Sequence, residues 1–165
     1  MKKFLTTFIY TSLAILSLGY LFRLMHWTNA DVMLQAGFWM HIASYIGYSF
    51  VVTIKDNRLI YPLGVLVLLF VIQMFNIEIG YQTSFVGFFV LFIVYIGFHL
   101  ITPNYLVAGD PKPIRIAGII ALITFAIASI FKIMHWAGAD MLLISSVSTI
   151  AFVLMLQGWL KGRTV

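Results

Sequence analysis

Long apolar stretches alternate with short polar breaks along the whole chain. Between the breaks lie six runs, about 4–25, 31–54, 59–77, 81–102, 114–134 and 139–160. Each is close to the roughly 20 apolar residues that a helix needs to cross a bilayer. The breaks are two related polar motifs near residues 26 and 135, then Lys55-Asp56-Asn57-Arg58, the stretch from Asn76 to Gly80, and Pro103 to Pro113. Because the runs are continuously apolar rather than alternating, they do not read as barrel strands. The expected fold is all-α: a polytopic membrane protein of six transmembrane helices, paired as three hairpins (about 4–54, 59–102 and 114–160) in one domain, 1–165.

Composition supports that class. The chain is 62% hydrophobic and 9% charged, with a mean hydropathy of +1.05, where a soluble domain carries roughly 25% charged residues. The net charge of +5 is held in short clusters between apolar runs, so no nucleic-acid partner is expected. The chain has no cysteine, which excludes disulfides, thiolate metal sites and Cys-linked haem. The opening MKKFLTT could begin a signal peptide. It leads into the first polar motif as a later run leads into the second, so it is expected to be a retained first helix.

Charge changes the picture further by setting direction. Lys2, Lys3, Lys55, Arg58, Lys112, Arg115, Lys161 and Arg163 fall on one side of a six-span layout, and only Arg23 and Lys132 on the other. Both termini are therefore expected in the cytoplasm. The two motifs then share the outer face.

Those motifs are LFRLMHWTNAD from Leu21 and IFKIMHWAGAD from Ile130, offset by 109 residues. FVIQMFNIE from Phe70 loosely echoes them and marks a candidate third copy. On the structural reading, Arg23 and Lys132 close a span and snorkel to the interface, and Trp27 and Trp136 join an interfacial belt. Asp31 and Asp140 open the next helix, where a carboxylate complements the dipole, and Thr28 with Asp31 resembles a capping box. Each Asp could reach back to the base or the His, closing a clasp. On the alternative reading, Arg23, His26 and Asp31, with Lys132, His135 and Asp140, form proton-accessible sites.

Within the spans, Gly37, His41, Ser44 and Tyr48 share one face of the second run, and Ala117, Ala121, Thr124 and Ala128 form a small-residue stripe in the fifth. His41 is the ionisable residue well inside a span. It is either functional or satisfied by a hydroxyl of Ser145, Ser148 or Thr149. Glu78, at the middle tip, could pair with Arg23 or Lys132 if the tips converge. No local second His or carboxylate stands at ligand spacing, so no metal is expected. His41 in the outer half of its run and His99 near the inner end of the fourth cannot pair across a haem, and no cofactor is expected.

The stretch Lys132-Ile133-Met134-His135-Trp136-Ala137-Gly138-Ala139-Asp140 resembles the hairpin tip of the GldL family, the inner-membrane subunit of the Bacteroidota gliding and type IX secretion motor. That resemblance covers each outer hairpin and implies a cytoplasmic N-terminus. Family members carry a long cytoplasmic region after the second helix, which a chain ending at Val165 is expected to lack. They also hold a second-helix glutamate tied to proton coupling. Counted from the His, that position falls on Ile150 in the second copy and His41 in the first. The resemblance thus implies a multi-hairpin relative without the coupling carboxylate.

With no Ser-His-Asp set, paired carboxylates or metal cluster at one depth, the expected protein is non-enzymatic. It would be a scaffold or partner-binding subunit of a bacterial inner membrane, linked to gliding motility or type IX secretion. Its expected partners are lipid and other membrane subunits or itself. The alternative is a small proton-linked transporter or channel using His41 and the outward Arg/Lys-His clusters.

Overall fold

The structure is a computed structural model that describes residues 1–51, 64, 65, 68, 93–101 and 112–164. All the described regular structure is helical. In chain order the helices are α1 (Lys2–Leu24), α2 (Ala30–Val51), α3 (residues 93–101), α4 (Lys112–Ile133) and α5 (Ala139–Thr164). Their ends match four of the six expected runs to within a few residues. Most of the third and fourth runs, the middle tip and Glu78 lie outside the described residues.

Helices α1, α4 and α5 are long and apolar enough to cross a membrane. At about 1.5 Å per residue, even the shortest of them covers the hydrocarbon core, which is about 30 Å thick. Helix α2 has the length, 22 residues, but carries Gln35, His41, Ser44 and Ser49, which lower its apolarity. Its polar face turns inward: Gly37, His41, Ser44 and Tyr48 are all buried. On α4 the arrangement is inverted, with Ile116, Ile120, Ile123, Ile127 and Ile130 exposed. That isoleucine face suits lipid, where exposed hydrocarbon carries no penalty.

Helix α1 is the hub, packing against both α2 and α5, while α4 packs against α5. Close approach requires small residues at the contacts. A Cβ on Gly37 would lie 2.9 Å from the backbone nitrogen of Leu16, and one on Gly19 would lie 2.9 Å from that of Leu34. The α1–α2 hairpin is thus pressed backbone to backbone at two heights. On the other side of α1, Thr7 Oγ1 donates 3.1 Å to the carbonyl of Gly158 on α5. In the stripe of α4, Ala121 and Ala128 are buried, and Ala117, Ala121 and Thr124 line a groove against Ser145 and Thr149 of α5.

Candidate functional site

The two HW tips have one backbone. His26 and His135 adopt left-handed φ values of 54° and 55°, and three residues later Asn29 and Gly138 do the same at 66° and 83°. The His N–H donates to the carbonyl three residues back, Arg23 or Lys132, at 3.2 and 3.1 Å. The Trp N–H donates five back, to Phe22 or Phe131, at 2.8 and 2.9 Å. This pair of bonds is a Schellman motif, which satisfies two of the last orphan carbonyls of a helix. Its usual hydrophobic contact is present too: Trp27 lies against Phe22 (5.0 Å between centroids) and Trp136 against Phe131 (4.6 Å). The recurring Phe, base, His and Trp are therefore the positions of one helix stop. An L-residue in the left-handed region costs about 1 kcal/mol, and His accepts that cost where Gly would be usual.

Each Asp reaches the base. Lys132 Nζ donates 2.6 Å to Asp140 Oδ1, and Arg23 Nη1 lies a looser 3.9 Å from Asp31 Oδ1. Both pairs are substantially exposed, so each contributes less than about 1 kcal/mol. The expected capping box is out of register. Asn29 accepts the first helical bond of α2, from Met33 N–H at 3.1 Å, which puts Thr28 outside the N-cap. His26, Trp27, His135 and Trp136 are exposed.

A second polar cluster is buried in the bundle. His41, fully buried, places Nδ1 2.7 Å from Ser12 Oγ and 3.2 Å from the carbonyl of Ile9, with Nε2 2.6 Å from the Tyr95 hydroxyl. His99, equally buried, places Nδ1 2.9 Å from the carbonyl of Tyr95 and Nε2 3.0 Å from the Tyr45 hydroxyl. The imidazole centroids are 6.1 Å apart. Tyr10 meets His99 edge-on at 6.2 Å, and its hydroxyl accepts 2.8 Å from Lys161 Nζ.

Hydrogen positions follow from the acceptors. Ser12 O–H donates to the Ile9 carbonyl at 2.8 Å, so its oxygen is left to accept. A carbonyl only accepts, so Nδ1 of both imidazoles carries the hydrogen. Each bare Nε2 then accepts from a tyrosine O–H. In their neutral forms the two rings therefore share one tautomer.

Three expectations are corrected here. The hydroxyls around His41 come from Ser12 and Tyr95, not from α5. Ser145 and Thr149 are exposed and donate to their own helix, to the carbonyls of Leu142 and Ser145, and Ser148 is exposed. His41 and His99 are neighbours rather than residues at separate depths, because α2 and α3 are set so that the rings differ by one helical turn. Lys161, expected in a cytoplasmic tail, lies within α5 and is 1% exposed.

Sequence reasoning missed Tyr95, Tyr45, Ser12 and Tyr10, but a signal was present. His41-x3-Tyr45 is answered by Tyr95-x3-His99, its reverse, and each His meets the Tyr of the other pair at a separation of 54 residues. Equal offsets mean that α2 and α3 run in the same direction. Among the described residues no group of three or more metal-ligating side chains comes together.

These helices, three of them long and apolar enough to cross a membrane, define an integral membrane protein whose described regular structure is helical. Comparison of the chain with protein-family models, curated proteins and solved structures returns no match.

Proposed function

We propose that the chain is a non-enzymatic scaffold or partner-binding subunit of a bacterial inner membrane. It crosses the membrane six times as three hairpins, with both termini in the cytoplasm, and works beside a gliding or type IX secretion complex. The observation that supports this reading is the duplicated tip: two helix stops with the same left-handed positions, hydrogen bonds and Phe–Trp contact. Two such stops on one face hold Trp27 and Trp136 out in matching settings, which suits a partner that docks on both. Photo-crosslinkers at Trp27 and Trp136 in native membranes test it. The expected product at both sites is the same membrane protein, and products with only lipid or with the chain itself would sink the proposal.

A second reading, a small proton-linked transporter or channel, is favoured by one observation. His41 is an ionisable group with no exposure, bonded to three neighbours inside the bundle, and such groups within membranes mark ion and proton routes. Proton flux in liposomes should fall with His41→Ala. Unchanged flux removes His41 from any such route.

A further inference from the structure

We infer that His41 and His99 act together as a single proton-binding site, which takes up one proton per chain and resists a second. As a statement about coupling it rests on the proton-linked reading above; as a statement about binding it stands on geometry.

Each imidazole has one free lone pair, on Nε2, and each lone pair is already met by a tyrosine O–H. A proton arriving at either Nε2 turns that nitrogen from acceptor to donor. The hydroxyl of Tyr95 or Tyr45 must then rotate and accept instead. One such event needs one phenol to turn and leaves the other pair intact. The rings stand 6.1 Å apart between centroids, so a second imidazolium would face the first across a short, dry gap. At an effective dielectric of about 20, repulsion between unit charges at that distance weakens the second proton by roughly a hundredfold.

The surrounding groups sharpen the effect. Among the described residues the pair is faced by Ser12 and Tyr10 on α1, Tyr45 on α2, Tyr95 on α3 and, behind Tyr10, Lys161 on α5. Lys161 stands on the His99 side of the pair, behind Tyr10, and carries charge of the same sign. The backbone also links the two rings, because Tyr95 gives its hydroxyl to His41 and its carbonyl to His99. A rearrangement at one imidazole is therefore felt at the other.

The test uses the full chain in liposomes with His26→Asn and His135→Asn. Asn tolerates the left-handed backbone of the tips, and these changes leave His41 and His99 as the only imidazoles. With 15N-labelled histidine, solid-state NMR should show both rings protonated at Nδ1 at neutral pH. On acidification, half of the imidazole signal should become imidazolium. A plateau of about two pH units should follow before the rest converts. In the further variant His99→Asn, the single remaining ring should titrate in one step at the earlier pH. The site is overturned by an Nε2–H tautomer, by both rings converting in one step, or by neither converting while the protein stays folded. Proton flux measured on liposomes of the unsubstituted chain, which keeps His26 and His135, holds the two ideas apart. A two-step titration without flux refutes transport and upholds the site, whereas flux with a one-step titration refutes the site and leaves transport standing.

Discussion

The hydroxyl of Tyr95 on α3 donates 2.6 Å to Nε2 of His41 on α2, and both residues are buried. This bond joins segments far apart in the chain. With its reciprocal partner, Tyr45 to His99, it fixes the register between them. Removing the donor strands a lone pair in a place water does not reach. Tyr95→Phe is expected to cost about 1–3 kcal/mol, read as a lower Tm in detergent. His41→Asn combined with Tyr95→Phe should cost less than the sum of the two single changes, because both act on one bond. Additive effects would show that the contact is not formed in the membrane.

The helix stops give a prediction of the opposite sign. His26 and His135 hold a backbone that Gly adopts freely. His135→Gly should therefore be neutral or stabilising by up to about 1 kcal/mol, while His135→Val should destabilise by more than that. Thermal unfolding of the three proteins side by side decides it. A marked loss of stability in the Gly variant would mean that the imidazole itself holds the tip.

The exposed ion pairs should matter little. Asp140→Asn removes the 2.6 Å contact with Lys132 and is expected to cost under about 1 kcal/mol. Asp31→Asn, at the 3.9 Å pair with Arg23, should cost less still. Both costs should shrink as salt is raised. An effect of several kcal/mol, insensitive to salt, would show that the clasp is buried by a partner in the working assembly.

Close contact between α1 and α2 should be intolerant of added volume. Gly37→Ala places a methyl 2.9 Å from Leu16 N and 3.0 Å from Leu16 Cγ, and backbone cannot step aside cheaply. A loss of about 1–3 kcal/mol is expected. Ala36→Val, one residue away on an exposed position, should change stability by less than about 0.5 kcal/mol. Equal effects at the two sites would refute the packing.

Helix positions and the two tips were legible because both are local. Apolar run length locates a span, and a repeated Phe-base-x-x-His-Trp string must fold alike at Phe22 and Phe131. Even so, the string reads most naturally as chemistry, since nothing local announces that His will take the left-handed role of a C-terminal glycine. The buried cluster was legible only in fragments. His41 stood out, but its partners depend on how far α3 is shifted along α2, and span ends fix depth only to within a turn or two. That error separated His41 from His99 and offered it Ser145 and Thr149 instead of Ser12. The capping box at Thr28 failed for a related reason: a tight turn ending at Asn29 moves the start of α2 by one residue.

The bonds between α1 and α5 set a timetable for assembly. Tyr10 meets Lys161, and Thr7 meets Gly158, each across 151 residues. In a chain made from its N-terminus, the first helix enters the bilayer long before those partners exist. Its inward hydroxyls must wait, shielded by α2 or by insertion machinery, until α5 is synthesised. Completion of the bundle is thus deferred until α5 has been made, and changes near Gly158 and Lys161 should surface as defects in the placement of α1.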